Sequence, residues 1–326
     1  MPVFSIDQTA LPYSMDLCFA GAACELQTNS SQLARVLESL SISTDHAVPS
    51  GFSMRVFVEE ASDAVAGEPH FRGLHHLVTA SFGSSNLFVF DILRCTLNAR
   101  VSAAIVRDER FWKEKLIPIT LGVLGSAMGL VPVHCACLEL DGEGLLIAGA
   151  SGAGKSTLSV ALSEIGCNYV SDDWTYMSRR GNGIVAHGTS APVKLLPDAV
   201  EHFQSLQGCS LQRSMNGELA YEVDIVKAFG AQVERACEPR WLIFLERTRR
   251  AEAIFTATSP ADARSYVNSS IERLPPQLYE ATAIRAQTIE SVALLPSWHF
   301  RYGGTPQFAA KELWKFVVHR RQEIYA

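Results

Sequence analysis

The chain has 326 residues, of which 48% are hydrophobic and 19% are charged. It can therefore bury a full core, its length suggests about two domains, and it does not have the composition of a disordered protein. The formal net charge is −6 and no run of Lys or Arg accompanies it, so we expect no nucleic-acid partner.

The cysteines and the N-terminus indicate the compartment. Eight cysteines are scattered along a chain that is too long to need disulfides for its stability. The stretch Met1–Gly21 lacks the basic region and the continuous apolar region of a secretory signal peptide. The sequence therefore predicts free thiols and a cytoplasmic protein.

The first third of the chain carries no recognisable motif. Its pattern predicts a helix over Ser31–Leu40 and strands over Phe52–Val58 and Leu87–Leu93. A further helix is predicted over Glu109–Leu130. We place a domain boundary near residue 108, with an N-terminal α+β domain for substrate recognition or assembly over 1–108 and a catalytic domain over 109–326.

One uncharged stretch, Leu116–Val133, is nearly long enough to cross a membrane. It contains Pro118, Pro132 and three glycines, and a phosphate-loop motif begins sixteen residues after it. A buried helix that leads into a core strand explains the stretch better than a membrane span does. We therefore expect no membrane partner.

The rest of the chain has a clearer order of elements. Strands are predicted at His134–Leu140, Leu145–Gly149, Tyr169–Asp172 and Trp241–Leu245, and a helix at Lys155–Ile165. A hairpin is expected around Gly181–Gly183. Ser259, Pro260 and Asp262 resemble a helix start, and a last helix follows Pro306. The order strand, glycine-rich loop, helix, strand predicts an α/β domain.

The glycine-rich loop is the strongest motif in the sequence. Residues 149–156 match the phosphate-loop pattern G-x-x-x-x-G-K-[ST] at every fixed position, between a predicted strand and a predicted helix. Glycines let the backbone amides turn toward an anion at the helix N-terminus. The residues expected to bind the nucleotide are Gly149, Ala150, Ser151, Gly152, Ala153, Gly154, Lys155, Ser156 and Thr157.

Two of these residues have roles that depend on their spacing. Lys155 is predicted to reach the β- and γ-phosphates of ATP, and the Ser156 hydroxyl is a hard oxygen ligand suited to Mg²⁺. A flexible loop that matches the pattern by chance is the alternative, but the strand and helix around the motif argue against it. ATP and Mg²⁺ are therefore the expected cofactors.

Two adjacent acids, Asp172 and Asp173, follow the next predicted strand. Ligands of open α/β sheets bind outside the carboxyl ends of the strands, so these carboxylates are expected to face the phosphates. One acid would receive or orient the acceptor proton and the other would bind Mg²⁺. The alternative is a solvated turn in which Asp173 only caps the following structure.

His134 is a weaker candidate when it is taken alone, because a single His at a strand start is more often a structural hydrogen bonder. Cys135 and Cys137 beside it suggest zinc, but His134 would point to the opposite face of a strand from both cysteines. We therefore expect no zinc site.

The same residues resemble a known family. The segments HCA from His134, GLLIAGASGAGKS from Gly144, Gly166, and VSDD from Val170 resemble the catalytic domain of HPr kinase/phosphorylase, which is similar to the P-loop core of phosphoenolpyruvate carboxykinase. The resemblance implies that His134 lies near the acids and the metal, that Asp172 is the base, and that Asp173 is the metal-side acid.

A weaker similarity through Trp241–Glu246, Ser259–Ala263 and Phe300–Gly303 extends to the smaller HPr-kinase-like enzymes, some of which phosphorylate a serine of a precursor peptide. The chain departs from the bifunctional HPr enzymes at Thr157, where they usually carry Glu, and a downstream signature is missing. The resemblance therefore implies a peptide, protein or small-molecule hydroxyl as acceptor rather than HPr. Lys194 and Arg301 are further candidate phosphate-binding cations, although each could be a solvated surface charge.

The expected function is thus an ATP- and Mg²⁺-dependent kinase with an HPr-kinase-like α/β fold. The alternative is a nucleotide-gated binding module that hydrolyses ATP slowly and forms no phosphorylated product. A degenerate structural relative is a third hypothesis, but Lys155, Ser156 and the acid pair are intact. A homo-oligomer is compatible with the sequence.

Overall fold

The computed structural model describes residues 10–60, 68–189, 191–214, 217–250, 252–269, 271, 274 and 278–325. Residues 1–9 of the stretch analysed for a signal peptide lie outside this range. The strands and helices named below are those of the described residues.

The strands are β1 (Tyr13–Phe19), β2 (Ala22–Thr28), β3 (Phe52–Glu59), β4 (His70–Leu74), β5 (Leu77–Phe82), β6 (Asn86–Asp91), β7 (Thr96–Ser102), β8 (Leu130–Val133), β9 (Cys135–Leu140), β10 (Glu143–Gly149), β11 (Asn168–Ser171), β12 (Thr175–Arg180), β13 (Gly183–His187), β14 (Val193–Leu195), β15 (Gln212–Arg213), β16 (Leu219–Val223), β17 (Ala236–Arg247), β18 (Ala253–Ala257) and β19 (Ser297–Tyr302).

The helices are α1 (Ser31–Leu40), α2 (Ala103–Val106), α3 (Glu109–Phe111), α4 (Ile117–Met128), α5 (Lys155–Glu164), α6 (Ile225–Phe229), α7 (Pro260–Ser269), α8 (Tyr279–Ala293) and α9 (Pro306–Tyr325). A π-helical turn spans Trp112–Leu116, and two 3₁₀ turns span Pro197–Glu201 and Gln204–Leu206.

The described residues form two compact units. The first comprises those of Met1–Ser43, Ala47–Met128 and Pro275–Tyr279, and the second those of Thr44–His46, Gly129–Leu274 and Glu280–Ala326. The predicted boundary at 108 differs from this division, because residues 109–128 belong to the first unit. The roles predicted for the two parts stay predictions.

The first unit is built on a seven-stranded sheet in the order β1-β2-β3-β7-β6-β5-β4. Helix α1 begins where the Ser30 hydroxyl accepts a hydrogen bond from the Leu33 amide, and its apolar positions recur at helical spacing. Phe111 packs edge-on against Phe82, with ring centroids 4.9 Å apart. This contact explains why the segment after residue 108 belongs to the sheet that precedes it.

The helix predicted over Glu109–Leu130 is divided into α3, the π-helical turn and α4. The amide of Ile117 bonds to the carbonyl of Trp112, five residues back. Pro118 has no amide hydrogen with which to continue an α-helical pattern, so the hydrogen-bond register changes beside it. Leu121 and Leu124 of α4 are fully buried. Among the described residues, no helix has the length and apolar character that a membrane crossing requires.

The second unit contains a mixed sheet in the order β11-β9-β10-β17-β13-β12-β8, with β19 beside β17 and β18 beside β19. Strands β10 and β17 run parallel, as do β17 and β19. Strands β10 and β11 both pair antiparallel with β9, so they point the same way. The carboxyl ends of β10, β11, β17 and β19 therefore lie at one edge.

Helices cover both faces of this sheet. Leu158 and Ala161 of α5 and Leu313 of α9 belong to the core on one face. Val267 of α7 and Val292 of α8 belong to the core on the other face. This doubly covered arrangement confirms the predicted α/β class, and it fixes the edge where the motifs meet.

Candidate functional site

The phosphate loop joins β10 to α5 as predicted. Gly152 and Gly154 have φ angles of +77° and +94°, in the left-handed region that favours glycine. A Cβ atom on Gly154 would overlap the Tyr302 hydroxyl, and one on Gly149 would lie 2.8 Å from the Leu245 carbonyl oxygen. Gly154 occupies the N-cap position of α5 and has no side chain to cap it. The backbone thus forms an uncapped helix start of the kind that binds anions.

Lys155 is buried at the start of α5, with 8% of its surface exposed. Its ammonium group donates hydrogen bonds to the carbonyls of Gly149, at 3.0 Å, and Ala150, at 3.4 Å. The positive charge is therefore held under the loop by backbone oxygens.

Two tyrosines that the sequence analysis did not select hold the loop from either side. The hydroxyl of Tyr266, on α7, accepts from the Gly149 amide at 2.9 Å and lies 3.0 Å from the Gly149 carbonyl oxygen. The hydroxyl of Tyr302 donates to the Ala153 carbonyl at 3.2 Å. Both lie more than a hundred residues beyond the loop in sequence, and no local signal identified them.

His134 and the acid pair lie at matching breaks in two antiparallel segments, since β8 pairs with β12 and β9 pairs with β11. His134 separates β8 from β9, and residues 172–174 separate β11 from β12. The two breaks are joined by the buried Thr175 hydroxyl, which donates to the Cys135 carbonyl at 2.7 Å and lies 2.6 Å from the Ser171 hydroxyl. The strand arrangement therefore brings His134 and Asp173 together across 39 residues of sequence.

The carboxylate of Asp172 faces inward. The Ser156 hydroxyl lies near it, and burial raises its pKa to about 6 although interactions with Ser156 and with backbone amides act to lower that pKa. Its Oδ1 atom is buried and has no hydrogen-bond partner among the described residues. A buried, unsatisfied carboxylate oxygen beside a serine hydroxyl is an oxygen donor set of the type that Mg²⁺ prefers.

The carboxylate of Asp173 faces outward. The backbone at Asp173 has φ of +57°, a left-handed conformation that Asp adopts more readily than most residues do. Oδ1 of Asp173 accepts a 2.9 Å hydrogen bond from Nε2 of His134, and 59% of its side chain is exposed.

The pKa of Asp173 is set by opposing effects. Partial burial acts to raise this pKa, but the hydrogen bond and charge of His134, with the charges of Lys155 and Lys194, hold it below its ordinary value. The indole of Trp174 stacks on the His134 ring at 5.4 Å and is partly exposed. The two adjacent acids therefore differ in burial, in partners and in the direction of their pKa shifts.

Ser156 and Asp173 were predicted as the ligands of Mg²⁺, whereas the acid on whose pKa Ser156 acts is Asp172. Lys194, on β14, lies near both acids, since its backbone amide lowers the pKa of Asp172 and its charge lowers that of Asp173. Arg301 instead forms a half-exposed ion pair with Glu246, with 3.5 Å between Nε and Oε1. Thr157 lies in the first turn of α5 and is partly buried.

The histidine and cysteines form no metal cluster. Within the described ranges, no group of three or more His, Cys, Asp or Glu side chains is placed to hold a metal. Cys135 and Cys137 are buried in the core, and burial raises the pKa of the Cys135 thiol to about 12. Cys137 instead lies 3.5 Å, sulfur to sulfur, from Cys237. The fit to Mg²⁺ rests on Ser156 and the acids, with nucleotide oxygens as the other expected ligands.

Part of the chain is similar to proteins named as HPr kinases. No protein-family model matches the chain. The chain is 27% identical over 126 residues to an HPr kinase/phosphorylase of Pelodictyon phaeoclathratiforme, and the match spans 38% of this chain and 35% of that relative. A solved structure of the HPr(Ser) kinase/phosphatase from Coxiella burnetii is 15% identical, with a TM-score of 0.33, over 60% of this chain and 99% of that one.

The match to the curated relative confirms the resemblance to HPr kinase/phosphorylase at the level of the fold. The finer likeness to peptide-tailoring kinases stays a prediction. The described residues therefore form an α/β fold that resembles that of HPr kinase/phosphorylase.

Proposed function

We propose that the protein is an ATP- and Mg²⁺-dependent kinase that transfers the γ-phosphoryl group to a hydroxyl acceptor in the cytoplasm. The observation that carries this proposal is the division of the acid pair. Asp172 is turned inward to Ser156 at the phosphate loop, while Asp173 is turned outward and held by His134. A kinase needs an acid on the metal side and an acid on the acceptor side, and this site offers both.

The nucleotide half of the site comprises the loop amides, Lys155, Ser156 and Asp172. The amides at the start of α5 and the Lys155 ammonium group would hold the phosphate oxygens. Ser156 and Asp172 would hold Mg²⁺, which when bound neutralises charge on the phosphates. This proposal reverses the roles that the sequence suggested for the acids, and it is supported by the effect of Ser156 on the pKa of Asp172.

The acceptor half comprises Asp173, His134 and Lys194. The Asp173 carboxylate is exposed and can receive a hydrogen bond from an acceptor hydroxyl, and His134 fixes its orientation. Lys194 supplies positive charge near the same carboxylate. Positioning and charge neutralisation would provide most of the rate acceleration.

The proposed acceptor is a serine of a peptide or protein, or the hydroxyl of a small molecule. The curated relative is named an HPr kinase/phosphorylase, but the match spans about a third of its length. Thr157 stands where the bifunctional HPr enzymes usually carry Glu, so we propose an acceptor other than HPr.

Incubation with γ-labelled ATP, Mg²⁺ and host lysate or candidate peptides tests the proposal. We expect label in one acceptor, with a mass gain of one phosphate by mass spectrometry, and no label with Lys155→Ala. Lys155→Ala should remain folded by circular dichroism. Label found only in free phosphate would contradict the proposal and favour a slow ATPase that gates partner binding.

A further inference from the structure

The contacts of Lys155 imply a cost of nucleotide binding. Its ammonium group donates to the Gly149 carbonyl at 3.0 Å. On the proposed function, the same group turns to the phosphates when MgATP binds, and it then weakens or gives up that bond. Gly149 is buried, so its carbonyl oxygen would be left without a partner unless another donor replaced the lysine.

Tyr266 is already in place as that donor. Its hydroxyl oxygen lies 3.0 Å from the Gly149 carbonyl oxygen and accepts from the Gly149 amide at 2.9 Å. The carbonyl of His134 lies 3.4 Å away as a second acceptor for the same proton. The hydroxyl has one proton, so it can serve one of these two carbonyls at a time.

The ring of Tyr266 is fixed independently of its hydroxyl. It packs edge-on against Phe244, with ring centroids 5.1 Å apart at an interplanar angle of 71°. Helix α7, which carries it, is joined to α8 by a bidentate ion pair in which Arg264 donates to both carboxylate oxygens of Glu290 at 2.6 and 2.7 Å. The hydroxyl therefore meets Gly149 at a preset position.

We propose that Tyr266 is a positioning residue that releases Lys155 for catalysis. When Lys155 moves to the phosphates, the Tyr266 hydroxyl donates to the Gly149 carbonyl. While Lys155 is still bound to that carbonyl, the hydroxyl proton can be shared with the His134 carbonyl. The inference rests on the proposed function and adds to it a residue that acts through Lys155 without touching the nucleotide.

Tyr266→Phe tests the proposal, because it keeps the ring and removes the hydroxyl. Tyr302→Phe is the matched comparison, since it also removes one hydroxyl from the loop but one that bonds Ala153, whose carbonyl does not hold Lys155. Isothermal titration with MgATP should show a Kd raised about tenfold for Tyr266→Phe, the loss expected when a buried carbonyl has no donor. Tyr302→Phe should raise the Kd less.

Two readouts separate this role from a purely structural one. The melting temperature of nucleotide-free Tyr266→Phe should be close to that of Tyr302→Phe, because each variant leaves one backbone group of the loop without its hydroxyl partner, the Gly149 amide or the Ala153 carbonyl. Before nucleotide binds, Lys155 still satisfies the Gly149 carbonyl in both variants. When the rate of ADP release is measured at steady state, Tyr266→Phe should show a higher KM for MgATP than the wild type. Its kcat should stay within about twofold of the wild-type value, because Lys155 has the same position once MgATP is bound.

The inference is overturned if Tyr266→Phe binds MgATP like the wild type, or if its melting temperature falls well below that of Tyr302→Phe. It is also overturned if kcat falls and KM does not rise. Wild-type protein that binds no MgATP would overturn the proposed function together with this inference, whereas normal wild-type binding with an unaffected variant overturns this inference alone.

Discussion

Two neighbouring carboxylates in this chain have different environments. Asp173 adopts a φ of +57° and meets His134, whereas Asp172 lies near Ser156. Asx residues accept the left-handed conformation more readily than most residues do. A repeated Asp at a strand end can therefore supply one buried acid and one accessible acid.

Gly154 is expected to tolerate no side chain. With φ of +94° and the Tyr302 hydroxyl where a Cβ would lie, Gly154→Ala should lower the free energy of unfolding by about 1–3 kcal/mol and weaken MgATP binding. Adding Tyr302→Phe should recover part of the loss, since it removes the overlap but not the backbone strain. Urea unfolding measures the first effect and calorimetry the second.

Gly122→Ala is the control for that prediction. Gly122 is exposed in α4 and has open space around it, so the change should stabilise the protein by up to about 1 kcal/mol. Equal effects of the two substitutions would show that the conformation of Gly154 carries no strain.

His187 should make the protein less stable in acid. Burial, followed by the charge of His46, lowers the pKa of His187 from 6.5 to about 4. The unfolded chain thus binds a proton on this residue at a higher pH than the folded chain does. The free energy of unfolding should fall as the pH drops from about 6.5 to about 4, by on the order of 3 kcal/mol from this residue.

Urea unfolding of the wild type and His187→Asn at pH 7 and pH 4 measures that contribution. His187 is fully buried and its Nε2 pairs with the Ser178 hydroxyl at 2.8 Å, so the variant starts less stable at pH 7. The variant should then lose less stability on acidification than the wild type does. Parallel losses in both proteins would contradict the assignment.

At the residue scale, the sequence was sufficient where spacing alone defines the chemistry. The loop from Gly149 to Ser156 was predicted because its fixed positions are local. The contact of His134 with Asp173 followed only from the family resemblance, and Tyr266 and Tyr302 were missed. Their hydroxyls reach the loop through tertiary packing, which no pattern along the chain encodes.

At the element scale, predicted elements matched the structure where one signal dominated. Helix α1 spans Ser31–Leu40, near which a helix was predicted, and α5 ends one residue before the predicted Ile165. The predicted strand at His134 begins at Cys135 instead, because His134 lies at the break between β8 and β9. The strands with which a strand pairs determine where it begins and ends, and those partner strands are distant in sequence.

The junction between the β8–β9 and β11–β12 segments should depend on Thr175. Its buried hydroxyl serves Cys135 and Ser171, and Thr175→Val keeps the shape but removes both bonds. We expect a loss of about 1–3 kcal/mol in the free energy of unfolding. The rate of phosphoryl transfer should fall by a larger factor than the affinity for MgATP, because this junction aligns His134 with Asp173.

Ser159→Ala is the control for Thr175→Val. The Ser159 hydroxyl is also buried, but it bonds the Lys155 carbonyl within one turn of α5, where the helix provides another donor. A loss below about 1 kcal/mol is expected there. If Thr175→Val lost as little free energy of unfolding as Ser159→Ala, the junction would not depend on the Thr175 hydroxyl.

At the scale of the whole molecule, the site is a product of strand order. The carboxyl ends of β10 and β11 lie at one edge because β9 runs antiparallel between them. The sequence predicted strands on both sides of the loop, but it could not give this order, since mixed pairing depends on long-range contacts. The acid pair therefore gains its proposed roles from topology rather than from the motif itself.

Separate substitution of the two acids tests that conclusion. Asp172→Asn keeps the side-chain size but removes the charge beside Ser156, so Mg²⁺-dependent ATP binding should weaken by at least about tenfold. Asp173→Asn removes the outward charge held by His134, so MgATP binding should change by less than about threefold. Transfer by Asp173→Asn should fall by about 10²–10⁴-fold, the range of general acid–base catalysis.

Calorimetry with ATP, in the presence and absence of Mg²⁺, measures nucleotide binding. Transfer of label from γ-labelled ATP measures catalysis on the same preparations. Each variant serves as the control for the other, because both exchange one carboxylate for an amide in the same turn. The opposite pattern, with binding lost in Asp173→Asn and transfer alone lost in Asp172→Asn, would assign the metal to the outward acid. Since Asp172 lies near Ser156 and Asp173 contacts His134, we expect binding to depend on the inner acid and transfer on the outer one.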